Sequence, residues 1–138
     1  MVNVATKWGL TDQNYKELVQ LHKSYGANGF EIVAMPCNQF MNQEPGTEAE
    51  IKEFAMGTYN VEFPMLNKND VNGPEACGLY RFLRSNSSLY DERKRQAGVI
   101  PWNFAKFLVD SNGKVSSYHG PRENPLSLRP QIDRLLSP

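Results

Sequence analysis

Apolar and polar positions along the chain alternate between strand-like and helix-like periods. Residues 2–5 form a short apolar run that reads as a strand. Tyr15, Leu18, Val19, Leu21 and His22 then recur at helical spacing. Thr11 is the expected N-cap of that helix, and Asp12 puts a negative charge in its first turn, where the helix dipole favours one. Gly26 and Gly29 close it. Residues 30–35 are rich in strand formers and bounded by Pro36, and a long loop follows to Gly46. Thr47-Glu48-Ala49-Glu50 is a capping box, predicting a helix with Ile51, Phe54 and Ala55 on one face. Residues 61–66 read as a weaker, irregular strand because Pro64 lies inside them. Leu79, Tyr80, Phe82 and Leu83 predict a third helix, and residues 85–98 a polar loop or frayed helical insertion. Residues 104–109 and 115–118 flank Asp110-Ser111-Asn112-Gly113, a hairpin with Asn-Gly turn chemistry. Residues 126–136 predict a last helix. Parallel strands first, then an antiparallel hairpin and a helix, imply an α/β fold: a mixed central sheet with helices on both faces.

A length of 138 residues suits one domain, residues 1–138. The formal net charge of zero gives no electrostatic footprint for nucleic acid. Cys37 and Cys77 are the only cysteines, with no Cys-x-x-Cys, which disfavours a thioredoxin-like disulfide oxidoreductase. They read as reduced structural thiols of a cytoplasmic protein. His22 and His119 have no partners at metal-ligand spacing, so no metal site is expected. No stretch reaches the roughly 18 apolar residues of a membrane span, and no signal peptide is visible. The strand-like run starts with no lead-in, which suggests an N-terminally truncated domain.

Three segments carry a resemblance. They are Asn3-Val4-Ala5-Thr6-Lys7-Trp8-Gly9-Leu10-Thr11, then Pro36-Cys37-Asn38-Gln39-Phe40 with Gln43-Glu44-Pro45-Gly46, and Trp102-Asn103-Phe104-Ala105-Lys106-Phe107. In order and spacing they resemble the glutathione peroxidase family, most closely its compact phospholipid-hydroperoxide type. The resemblance implies a thioredoxin-like fold, with the family's N-terminal hairpin and the start of the first core strand missing here. That would leave a sheet edge and part of the core bare.

The resemblance also implies an antioxidant activity: reduction of hydrogen peroxide or lipid hydroperoxides, with glutathione or another thiol as co-substrate and no bound cofactor. In the family a selenolate or thiolate attacks a peroxide oxygen and an alcohol or water leaves. The attacker must be an exposed anion, and a place just before a helix N-terminus favours one. That place is position 8, where selenocysteine or cysteine is expected in an active form and Trp8 stands here. The resemblance assigns Gln43, Trp102 and Asn103 as hydrogen-bond donors to the anion and the departing oxygen. Indole cannot enter the family's redox cycle, so the chain as written should lack the normal activity. Selenocysteine is encoded by UGA, one base from the tryptophan codon, so Trp8 can stand for selenocysteine. The alternative is a genuine Trp8 pseudoenzyme or binding protein on the same scaffold.

Other departures bear on the reductant. Met56 stands where thioredoxin-dependent members carry a resolving cysteine, which favours a small thiol. Pro101 replaces a basic residue before the Trp-Asn-Phe motif, leaving Lys7 and Lys106 as candidates for a glutathione carboxylate. Cys37 reads as structural, and Phe40 and Pro45 as shaping the loop that presents Gln43. A monomer with an open site, making transient contact with membrane lipid, fits the compact type.

Overall fold

A computed structural model describes residues 1–137. Its four-stranded sheet is built from β1 (Val2–Val4), β2 (Ala34–Pro36), β5 (Lys106–Val109) and β6 (Val115–His119), in the order β2-β1-β5-β6. β1 runs parallel to β2 and antiparallel to β5, and β5 runs antiparallel to β6. The sheet is therefore mixed, as the element order implied. Around it lie α1 (Thr11–Tyr25), α2 (Glu48–Tyr59), α3 (Gly78–Ser85) and α4 (Arg129–Leu136).

Strand alternation sends successive side chains to opposite faces, and two apolar clusters result. Val2, Val4, Ala34 and Leu108 pack with Tyr15, Leu18 and Leu21 of α1, Ala55 of α2 and Ile132 of α4. Met35, Phe107 and Val115 pack with Tyr80 and Leu83 of α3. Helices thus cover both faces. At the β5–β6 turn, Gly113 takes φ 82, a left-handed conformation that glycine adopts without cost, and the Asp110 carboxylate accepts from the N–H groups of Asn112 and Lys114.

Several local expectations change. Residues 30–33 leave the predicted strand: the register of β1 pairs Ala34–Pro36, and Val33 keeps only its carbonyl on the Val2 N–H at 3.1 Å. Residues 61–66 reduce to one bridge, Ala34 to Met65, with Pro64 interrupting the run. Ser85 closes α3, and the rest of the 85–98 segment, read as a loop or frayed helix, carries a small hairpin of β3 (Tyr90–Asp91) and β4 (Gln96–Ala97). Arg84 pins it to the body through the carbonyls of Gly98 and Ala97. The last helix begins only at Arg129, after a 3-10 turn over Pro125–Leu128.

Beyond the N-terminal end of β1 lies a cavity of about 570 Å³, bounded by Phe30, Ile32, Leu83, Phe107 and Val109. The Met1 ammonium donates there to the Phe107 carbonyl at 3.0 Å, and burial pushes its pKa down to about 6.

Candidate active site

The loop between β1 and α1 is fixed by one hydroxyl. Thr11 Oγ1 donates to the Ala5 carbonyl at 2.8 Å and accepts from the Trp8 N–H at 3.1 Å, while the Thr11 N–H donates to the Trp8 carbonyl at 3.1 Å. Thr11 is therefore the first helical residue rather than the N-cap; Leu10 holds that position without a side-chain bond. Residue 8 is left just ahead of the free N–H groups of a 15-residue helix. The half-buried Trp8 ring stacks on Phe104, with centroids 5.9 Å apart and planes at 16°.

Gln43 arrives on a strained loop. Met41 and Asn42 both adopt left-handed conformations, φ 57 and φ 53. The loop is held from within: the Glu44 N–H donates to Asn38 Oδ1 at 2.9 Å, and Gln39 Oε1 accepts from the N–H groups of Val71 and Asn72. Phe40 is buried with its ring 5.4 Å from that of Trp102.

Trp102 and Asn103 come from the segment leading into β5. Asn3, fully buried in β1, holds that segment: its side-chain amide donates to the Trp102 carbonyl at 3.0 Å and its Oδ1 accepts from the Ala105 N–H at 3.1 Å. Phe104 is forced to φ 61, a conformation costing about 1–2 kcal/mol for a side chain of this kind.

The structure brings Gln43, Trp102 and Asn103 together around a single atom. Gln43 Oε1 accepts from Trp102 Nε1 at 3.1 Å and from Asn103 Nδ2 at 2.7 Å. The three side chains were expected to point their donors outward at an anion. Two of them are instead satisfied by the third. Among the described residues Gln43 Nε2 has no partner, and Asn103 Nδ2 keeps a second N–H, so these are the donors the cluster leaves to offer an anion.

The two lysines part company. Lys7 is exposed, and its backbone N–H donates to the Gln43 carbonyl at 3.0 Å. With Thr6, Pro45, Gly46 and Glu50 it borders a cleft of about 380 Å³. Lys106 is buried, and its ammonium donates to the carbonyls of Pro121 at 3.2 Å and Glu123 at 2.7 Å. Burial pushes its pKa down to about 8. It does not join the group, because its ammonium is spent on those two carbonyls.

Neither thiol is built for attack. Cys37 is buried, which pushes its pKa up, and its Sγ donates to Gln39 Oε1 at 3.4 Å. Cys77 lies half-buried at the N-cap of α3 against Met35. Met56 is exposed on α2. Among the described residues no cluster of three metal-ligating side chains occurs, and no helix is long and apolar enough to cross a membrane.

Sequence reasoning gave Asn3 and Glu44 no part in this site and read Thr11 only as the N-cap of α1. The signal for Asn3 was a polar side chain in an otherwise apolar strand; Glu44, fully buried, stood only as part of the second motif.

Known proteins share both the sequence and the fold of this chain. The model of the glutathione peroxidase family matches residues 1–84. The chain is 47% identical over 137 residues to "Putative glutathione peroxidase 7, chloroplastic" of Arabidopsis thaliana, covering 99% of this chain and 57% of the relative. It is 46% identical to "Phospholipid hydroperoxide glutathione peroxidase 1, chloroplastic" of the same plant, covering 99% of this chain and 56% of the relative. It thus spans little more than half the length of these relatives, but 73% of a "Probable phospholipid hydroperoxide glutathione peroxidase" of Helianthus annuus, to which it is 45% identical with 99% of this chain covered. Among solved structures, T. cruzi GPX1 superposes with a TM-score of 0.73 at 29% identity, over 98% of this chain and 78% of that one. Trgpx in apo form gives 0.72 at 28% identity, over 98% and 77%. The fold is therefore thioredoxin-like, and the chain belongs to the glutathione peroxidase family.

Proposed function

We propose that this chain is the scaffold of a peroxidase that reduces hydrogen peroxide or lipid hydroperoxides at the expense of a thiol such as glutathione. The reacting atom is the selenium or sulfur of residue 8, and the Trp8 form lacks the family's normal turnover. The observation that carries this reading is the convergence of Trp102 and Asn103 on Gln43 Oε1, which leaves the Gln43 N–H groups free. A thiolate at position 8 attacks one peroxide oxygen, the O–O bond breaks, and the other oxygen leaves as alkoxide and is protonated to the alcohol. Two equivalents of thiol then return the resulting sulfenic acid to the thiolate, releasing water and a disulfide. Amide donors beside a helix N-terminus stabilise the anions at both ends of the first step.

Lys7, exposed beside the 380 Å³ cleft, is the cation proposed to meet a reductant carboxylate. Met41, 76% exposed on the loop that presents Gln43, supports transient contact with a lipid surface. The 85–98 segment folds back on Arg84, which supports a monomer. Two free thiols suit a reducing compartment such as the cytoplasm.

A second reading, a non-catalytic binding protein, is favoured by one observation: the scaffold accommodates the Trp8 ring against Phe104. The test is peroxide-dependent oxidation of glutathione by the Trp8 form, by Trp8→Cys and by Trp8→Cys/Gln43→Ala. We expect no turnover, turnover and much reduced turnover, in that order. A folded Trp8→Cys protein without turnover sinks the peroxidase reading and leaves the second.

A further inference from the structure

We infer that Glu44 is a positioning residue, whose buried carboxyl locks the loop carrying Gln43 to the backbone that presents residue 8. The inference rests on the peroxidase reading of the site. Glu44 has no solvent exposure, rare for a carboxylate in a loop. Its Oε1 accepts from the Thr6 N–H at 2.9 Å. One residue along, the Lys7 N–H donates to the Gln43 carbonyl at 3.0 Å. Two successive N–H groups just before residue 8 are thus held by two successive residues of the other loop.

The rest of the surroundings makes this clamp specific to the side chain. The Ala5 carbonyl and the Trp8 N–H are already committed to Thr11 Oγ1, so Glu44 supplies the one acceptor for Thr6. Lys68, the nearest cation, spends its ammonium on the backbone carbonyls of Glu44 and Gly46 rather than on the carboxylate. Glu44 Oε2 is buried without a partner among the described residues, as is the Tyr15 hydroxyl. A buried carboxylate kept without a counter-cation costs stability. Here its bond spans 38 residues of sequence and ends two residues before the reactive position. Gln43, whose amide carries the N–H groups that the proposed function uses, is its chain neighbour. Any slack in the clamp changes the distance between residue 8 and that amide, and misplacement on the order of 1 Å costs about 100-fold in rate.

The test uses the full chain carrying Trp8→Cys, alone and combined with Glu44→Gln, Glu44→Ala or Glu44→Asp. Two readouts are taken: the rate with hydrogen peroxide, and the pH dependence with which iodoacetamide alkylates the thiol introduced at position 8. Cys37 is buried, and Cys77→Ala removes the other competing thiol. Glutamine retains an acceptor at the same reach, so Glu44→Gln should keep both readouts within about threefold of the parent. Glu44→Ala leaves the Thr6 N–H without its acceptor. It should slow peroxide reduction by about tenfold or more and move the alkylation midpoint up towards the free-thiol value of about 8.5. Folded Glu44→Ala with the parent's rate and alkylation profile overturns the inference, and so does Glu44→Gln as impaired as Glu44→Ala. If Glu44→Ala fails to fold, Glu44→Asp decides. It keeps the charge but falls one methylene short, and a parental profile there also overturns the inference. The alkylation profile needs no peroxidase turnover, so the clamp is judged even if Trp8→Cys proves inactive.

Discussion

The convergence on Gln43 Oε1 makes a quantitative claim about stability that can be checked without any catalytic assay. Gln43→Met removes the acceptor and keeps most of the side-chain volume. Asn103, fully buried, then holds an N–H group with no partner. A buried donor stripped of its acceptor costs about 1–3 kcal/mol. Trp102 is only half-buried, so water replaces its 3.1 Å bond and the loss there is about 0.5–1 kcal/mol. The sum is about 1.5–4 kcal/mol. For a chain of 138 residues each kcal/mol shifts the melting temperature by about 3–4 °C, so Tm should fall by about 5–16 °C. Urea unfolding of the parent, Gln43→Met, Asn103→Ala and the double variant completes a cycle, and the pair should couple by about 1–2 kcal/mol. Gln43→Glu presents a carboxylate to the same two donors and should recover most of the loss. The reasoning fails if Gln43→Met lies within about 0.5 kcal/mol of the parent, or if the two single variants simply add.

Two further outcomes follow from the same structure. Thr47 and Glu50 form a reciprocal cap at the start of α2, with each side chain accepting from the other's backbone N–H; Thr47→Ala should cost about 1 kcal/mol in denaturant unfolding and speed amide exchange at residues 48–51. The Lys106 pKa falls to about 8 in the folded protein from an ordinary 10.5, so between those values the unfolded chain binds more protons and stability rises with pH. The parent should gain on Lys106→Met by up to about 2 kcal/mol from pH 8 to about 10 in parallel urea titrations, and a flat difference would contradict the burial of that ammonium.

What the sequence made legible was whatever is decided locally. The capping box of α2, the period of α1 and the Asn-Gly turn between β5 and β6 need only a few neighbouring residues, and all stand as read. Phe30, Glu31, Ile32 and Val33 have strand propensity but no facing strand, and pairing is a property of the partner. Lys106 illustrates a signal available and misjudged. A lysine heading the apolar run Lys-Phe-Leu-Val, in a sheet with helices on both faces, is placed to be buried, and its ammonium then needs carbonyls, which it finds at Pro121 and Glu123. Glu44 was illegible for the opposite reason. A loop carboxylate ordinarily reads as solvated, and only the fold brings the Thr6 N–H from 38 residues away to occupy it.

The way the site satisfies itself bears on what residue 8 must do. The resemblance assigned Gln43, Trp102 and Asn103 as donors to an anion. In the structure Gln43 Oε1 takes the Trp102 and Asn103 donors, Asn3 secures the segment that carries them, and Thr11 with Glu44 ties the loop before position 8. None of these bonds uses the side chain of residue 8. These bonds form without help from the residue 8 side chain, and the half-buried indole there stacks on the face of Phe104. On the proposed reading, exchanging that one side chain for a thiol should therefore leave the Gln43–Trp102–Asn103 bonds intact, since none of them depends on residue 8.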